Sequence, residues 1–347
     1  MERKSSKRKQ MVSISVVMPA YNVEISILQE AVESILSQTF QDFEFIIIDD
    51  CSTDGTFRYL EGLQDERIRL IRNPEHLGCT KSLNIGLNEA RGKYIARMDS
   101  DDISLPTRFE KQYKYMERHP DVILCGTNVE YFGIQQSKDH RKVKNMDSYR
   151  VEMLFHNPGP MHPTAFFNHA LLDRYQIRYD EKLTCAQDYG LWAVISRYGK
   201  VHILDEILVR YRIHDRQVSC QFKERQVECD KIIMERQLRE LLGNVTREEV
   251  ELHQRYGSGY VKGLGISEEA YHWFRKLVET NDRVRLYKKS ELDFYVYDRV
   301  IKQLLYRTFS PDMSYFARIS MFFRYIPPHL ALRASIGMTV RTIFNWW

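Results

Sequence analysis

What the chain lacks narrows it first. Its 347 residues include six cysteines, at 51, 79, 125, 185, 220 and 229, and no two of them form a C-x-x-C pair. Such scattered cysteines argue against a zinc or disulfide framework and for reduced thiols in a cytosolic compartment. No uninterrupted apolar run approaches a membrane span, and the basic start MERKSSKRKQ is not followed by the apolar segment of a secretory signal. The expectation is a protein that stays inside the cell. No G-x-G-x-x-G follows the first apolar stretch and no G-x-x-x-x-G-K-[ST] occurs anywhere, so phosphate is not expected to sit on glycine amides. There are no internal repeats and no low-complexity tract.

What is present is the composition of a globular protein, 43% hydrophobic and 28% charged. Charge is unevenly placed. Residues 1–10 hold five Lys/Arg and one Glu, and residues 313–347 hold Arg318, Arg324, Arg333 and Arg341 with no acid. Each end is therefore at +4, and the middle is at −4 within an overall +4. Two basic ends suit an anionic membrane surface. Neither carries a nucleic-acid-binding motif, so nucleic acid is not an expected partner. Residues 1–11 read as a basic disordered tail. At the other end Leu332, Ile336, Val340, Ile343 and Trp347 share one helical face, with Arg333 and Arg341 beside it. Such a face either packs on the protein or lies on a membrane, and periodicity does not separate the two.

The first hundred residues alternate strand and helix. Short β-branched runs at 14–22, 43–50, 68–73 and 93–99 are separated by helical patterns at 25–38, 52–63 and 79–90. That order implies a parallel, doubly wound sheet. Beyond Pro106 the spacing predicts a helix at 107–119, a strand at 122–133 and a helix at 188–198. From about 221 charge-rich helical patterns dominate, so an α/β domain over 12–220 and a helical region over 221–347 are expected.

The ends of these strands carry the chemistry. The first ends at Tyr21-Asn22, the second at Asp49-Asp50 and the fourth at Asp99-Ser100-Asp101, with Asp102 following. In a parallel sheet such ends share one edge, where ligands bind. Carboxylates repel phosphate, so an anionic ligand there needs a cation, and Mg²⁺ or Mn²⁺ bridges carboxylates and phosphates in this way. Asp99 and Asp101 can turn toward one point. Asp50 suits a ring N–H or a ribose hydroxyl, and Tyr21 offers a face to a base. Asp49 reads as a turn residue, and a solvated acidic turn remains open for the whole D-x-D.

Four blocks in order, SVVMPAYNVE (15–24), SILSQTFQDFEFIIIDDCSTDGT (34–56), LNIGLNEARGKYIARMDSDDISLPTRFEKQ (83–112) and CAQDYGLWAVISRYGKVHILDEILVRYRIHDRQVS (185–219), resemble the family-two glycosyltransferases of the GT-A fold. The resemblance covers about 12–219 and implies a Rossmann-like, mostly parallel sheet flanked by helices, followed here by a helical extension. It implies an inverting enzyme that moves one sugar from a nucleotide-diphosphate sugar, with a UDP-sugar favoured, to a glycan or lipid-linked acceptor. Bacterial polysaccharide, O-antigen, capsule and lipid-linked glycan assembly are the settings it suggests, on the cytoplasmic side. Asp101 and Asp99 stand at its metal position, and His214 resembles a third ligand. Asp50 matches its base-recognising aspartate. Pro19, Ala20, Tyr21, Asn22 and Glu24 match its nucleotide loop, Ser100 lies within the D-x-D, and Lys81 faces the diphosphate. Asp188 matches the general base, although Gln187 stands where the family usually has Glu. His162 sits in an acceptor-side loop. The rival readings are a non-catalytic sugar-nucleotide-binding module and a sugar-phosphate nucleotidyltransferase. The second lacks its glycine-rich first loop here. A dehalogenase-like phosphatase carries its D-x-D on the first strand, not the fourth.

Overall fold

The structure is a computed structural model that describes residues 12–214, 223–257, 265–308, 313–327 and 330. The apolar end at 332–347 and the basic tail at 1–11 lie outside the described residues. Strands β1 (Ile14–Ala20), β2 (Phe43–Asp49), β3 (Ile68–Arg72) and β4 (Tyr94–Arg97) alternate with α1 (Ile25–Leu36), α2 (Thr56–Glu61) and α3 (Cys79–Glu89). β1 lies between β2 and β4, and β2 between β1 and β3, all parallel. Every residue of β1 and β2 is buried, the pattern of strands covered on both faces. On one face Leu28, Ala31, Val32 and Ile35 of α1 pack with Val16, Met18, Phe45 and Ile47. On the other, α3 comes so close that a Cβ on Gly86 would lie 2.3 Å from Val17 Cγ1.

The sheet continues with β5 (Ile103–Ser104), β6 (Val122–Gly133), β7 (Ser137–Asp139), β8 (Phe166–Asn168) and β9 (Lys200–Ile213). The strand order is β3-β2-β1-β4-β8-β6-β9-β5, with β7 on β6. The long ladders are parallel, including β6 with β9, while the short β5, β7 and β8 run antiparallel. The sheet is thus mostly parallel, as expected. β9 and the three short strands were not expected. Runs of two or three residues are too short to show a period, and β9 (KVHILDEILVRYRI) alternates imperfectly. Its register against β6 is interrupted by irregularities. α4 (Arg108–Arg118), α5 (Met146–Phe155), α6 (His169–Arg174) and α7 (Gln187–Tyr198) complete this part of the chain.

The described residues fall into two compact units, one drawn from 12–143 with 159–229 and the other from 144–158 with 230–330. The sequence suggested one cut near residue 220. α5 instead joins the helical unit, where Leu154 and Phe155 pack with Leu238, Leu241, Phe274, Leu277 and Val296. Helix Tyr315–Tyr325 belongs to the same core through Phe322 and Tyr325. No helix among the described residues is long and apolar enough to cross a membrane.

The helical unit contains a fully buried histidine. His253 Nε2 faces the Leu154 carbonyl at 2.9 Å, and its Nδ1 receives the Trp273 indole N–H at 3.2 Å. These partners fix a neutral tautomer with one donor and one acceptor. Burial pushes the pKa from 6.5 down to about 4. A base depressed in this way contributes stability that is whole above 6.5 and is lost as pH falls toward 4. The loss approaches about 3 kcal/mol at the bottom of that window. Urea unfolding at about pH 7 and about pH 4.5 checks it: His253→Gln, with no charge to gain, should lose distinctly less stability between the two than the natural chain.

Candidate active site

The β1–β2–β4 register decides which side chains meet. Ala20 is level with Asp49, and Val17 is level with Arg97, so the residues after each strand emerge along one edge. The turns there are tight: Asn22 and Cys51 have φ of 47° and 62°, a left-handed conformation uncommon outside glycine. Pro19 and Ala20 are buried within β1 itself. Asn22 ties the first turn to the second, its Oδ1 accepting from Thr53 N at 2.9 Å and its own N–H reaching Ser52 Oγ at 3.1 Å. Glu24 is exposed at the start of α1, its carboxylate accepting from Ser26. Asp49 is wholly buried, with Arg72 Nε at 3.4 Å, and it accepts from Ser52 N in the turn, the modest part expected of it.

Asp50 is 2% exposed, and its carboxylate accepts three hydrogen bonds from one loop. Asn73 Nδ2 and Leu77 N donate to Oδ1 at 2.7 and 2.9 Å and Gly78 N to Oδ2 at 2.8 Å, while His76 Nδ1 lies 2.9 Å from Oδ2. Gly78 has φ +88°, the left-handed turn that lets this loop fold back before α3 begins. The Tyr21 ring stacks on His76, with centroids 4.0 Å apart and planes at 26°.

The acidic turn after β4 is the densest feature. One oxygen each from Asp99, Asp101 and Asp102 can be chosen so that all lie within 4.8 Å of one another. Asp99 forms an ion pair with Arg97, which is buried in β4. Its pKa is raised, first by burial and then by repulsion from Asp101 and Asp188, with Arg97 pulling the other way. Asp102 is 1% exposed and lies well above the usual carboxylate range, through burial first and then the charges of Asp101 and Asp99. Its Oδ1 accepts from Arg212 N at 2.8 Å, while the buried Oδ2 has no protein donor. Ser100 is half-buried between these acids. The turn is pinned from β9: Arg212 Nε donates to the Asp101 carbonyl at 2.8 Å, and His214 Nε2 lies 2.9 Å from Asp101 Oδ2. Two residues expected at a metal, Asp101 and His214, thus touch although 113 positions apart.

Asp188 occupies the first turn of α7 and is half-buried. Its charge acts on Asp99 and on Tyr179, so it belongs to the same electrostatic group as the acidic turn. Cys79, at the start of α3, joins this group: burial raises its thiol to about 11, with Arg97 opposing. Lys81 is exposed on the first turn of α3. His162 is buried, with Nε2 2.8 Å from the Tyr179 hydroxyl and its ring edge-on to Trp192. Burial and then the Arg97 charge push its pKa well below the usual value. It is a packed, neutral histidine.

Arg97, Asp102, Arg212 and His76 were not in the expected set. Arg97 had a signal, since a guanidinium inside an otherwise apolar run must have a buried partner. His76 had none.

A mostly parallel sheet with acids gathered at its strand ends defines a GT-A-type transferase architecture. The structure of S. aureus TarS 1–349 in complex with UDP shares the fold, with a TM-score of 0.57 at 17% identity over 90% of this chain and 89% of that one. Residues 15–175 match the profile of Glycosyl transferase family 2. An uncharacterized glycosyltransferase of Haemophilus influenzae is 36% identical over 233 residues, covering 63% of this chain and 71% of that protein. One from Methanocaldococcus jannaschii is 38% identical over 211 residues, covering 58% and 71%. The chain belongs to glycosyl transferase family 2 and is a glycosyltransferase.

Proposed function

We propose that the protein transfers a single sugar from a UDP-sugar to an acceptor hydroxyl with inversion, in the assembly of a bacterial polysaccharide or lipid-linked glycan. The observation that carries this reading is the meeting, at one sheet edge, of Tyr21 and Asp50 with the acids Asp99, Asp101 and Asp102, within reach of the Asp188 charge. S. aureus TarS, which shares the fold, has structures with UDP and with UDP-GlcNAc, which supports a uridine nucleotide here.

The acidic turn fits a hard divalent cation. Its donors are carboxylate oxygens with an imidazole alongside, and the buried Asp102 Oδ2 has no protein donor. Asp99, Asp101 and Asp102, with His214 beside them, would hold Mn²⁺ or Mg²⁺, which supplies positive charge against the donor's diphosphate. Asp50 and Tyr21 orient the base, Asn22, Glu24 and Ser100 border the nucleotide, and Lys81 extends toward the phosphates. Asp188 takes the acceptor hydroxyl proton as the new C–O bond forms at the anomeric carbon and the bond to the diphosphate breaks. A base acting on the face opposite the leaving group gives inversion. Arg97 pairs with Asp99 and opposes the burial that raises its pKa.

Following UDP release from UDP-sugars, turnover should require Mn²⁺ or Mg²⁺ and stop in excess chelator, and Asp101→Ala should abolish it while the thermal melt survives. Undiminished turnover in chelator would remove the metal from the reading.

Asp188→Asn keeps the side chain's shape and removes its basicity. Transfer should fall about 10²-fold or more while UDP affinity stays nearly unchanged. Normal transfer by this variant would assign the base elsewhere, and tight UDP binding without turnover by the natural chain would favour a non-catalytic module.

The protein acts on the cytoplasmic membrane face in this reading. Helix Tyr315–Tyr325 leaves Phe316 and Phe323 exposed, 80% and 53%, next to Arg318 and Arg324, and the following residues are basic and aromatic. The full chain should float with anionic liposomes at low salt, and a chain ending after Leu330, which spares the core residues Phe322 and Tyr325 but loses the basic, aromatic end, should float less.

A further inference from the structure

The carboxylate of Asp50 is crowded by its own loop. Two carboxylate oxygens offer about four acceptor positions; Asn73 Nδ2, Leu77 N and Gly78 N donate to them at 2.7 to 2.9 Å, and the His76 ring crowds what is left, its Nδ1 2.9 Å from Oδ2. A nucleobase N–H can reach Asp50 freely only after one of these groups moves. Asn73 is 3% exposed and its amide is also held by Ser82 Oγ at 2.9 Å. Leu77 and Gly78 donate from the main chain that leads directly into α3. The His76 side chain is different, because it is 53% exposed and hangs from the loop by freely rotatable bonds.

His76 also occupies the second recognition element. Its ring lies on Tyr21, with centroids 4.0 Å apart and planes at 26°. That separation leaves no room for a base between the rings. One imidazole therefore sets a ring nitrogen 2.9 Å from Asp50 and a flat face on Tyr21, the two places that a uracil ring would take.

We propose that His76 is a built-in occupant of the nucleobase position, seated on Asp50 and Tyr21 in the ligand-free protein and displaced when the base enters. The proposal rests on the nucleotide-sugar reading above. It makes His76 a determinant of donor affinity and base selectivity: a base must offer both a ring N–H and a stacking face to replace what it removes. Apparent affinity is then reduced by the fraction of molecules in which His76 is seated.

Calorimetric titration with UDP and Mn²⁺ tests this on the full chain. His76→Ala should bind UDP about threefold to tenfold more tightly than the natural chain, while affinity for Mn²⁺ with inorganic pyrophosphate, which has no base, stays unchanged. His76→Phe keeps a ring able to lie on Tyr21 but has no N–H for Asp50, so it should gain less than His76→Ala. Weaker or unchanged UDP binding by His76→Ala overturns the proposal, and weaker binding would mean that His76 stays and holds the base itself. An equal gain for pyrophosphate also overturns it, since the effect would not act through the base. If the natural chain and both variants bind no nucleoside diphosphate at all, the donor reading itself falls and this proposal with it, a result distinct from a measurable but unimproved affinity.

Discussion

Carboxylates gathered at one sheet edge repel one another, and the buried guanidinium of Arg97 is what makes the gathering tolerable. It sits in β4, between apolar neighbours, and pairs with Asp99 where the strand ends. Its field also reaches Cys79, Tyr179 and His162. A buried ion pair contributes little net stability by itself, but losing one partner leaves the other stranded. Arg97 therefore commits β4 to one register and keeps Asp99 at its end. His162 stays neutral next to it partly because a second positive charge there would be repelled.

The segment after the acids is held as firmly as the acids are. Gln38, fully buried, donates to the Ser34, Ser104 and Leu105 carbonyls and accepts from Phe109 N. Gln112, equally buried, donates to the Cys125 and Thr164 carbonyls and accepts from Arg108 Nε. Arg108 in turn donates to the Arg97 carbonyl. These amides meet the hydrogen-bonding needs of a buried irregular backbone, which otherwise would be expensive. With β5 laddered to β9 and Arg212 bonded to Asp101 and Asp102, the acidic turn is fixed from both sides.

Much of the fold was legible because β1 to β4 are short runs buried on both faces and their helices carry clear apolar stripes. The acids at their ends could be read as a site because a parallel sheet places like ends together. β5, β7 and β8 were not legible, since two or three residues carry no periodicity and exist only because a neighbour supplies hydrogen bonds. α5 has an ordinary helical pattern, and nothing local says that Leu154 and Phe155 pack with residues a hundred positions later. His214 was identified through resemblance, but its contact with Asp101 depends on how β9 is laid against β6.

The sequence by itself determined the alternation of strand and helix, the family, and the identity of the acids offered at the sheet edge, because these follow from local periodicity and from motifs read in order. Tertiary structure alone decided what surrounds each acid. Asp50 faces a loop that gives it three hydrogen bonds and crowds it with His76, and Asp102 is buried with one oxygen left without a protein donor. Asp188 comes within electrostatic reach of Asp99 across 89 positions of chain. The physical reason is that desolvation and Coulomb forces depend on distance in space, and only the packed chain sets those distances.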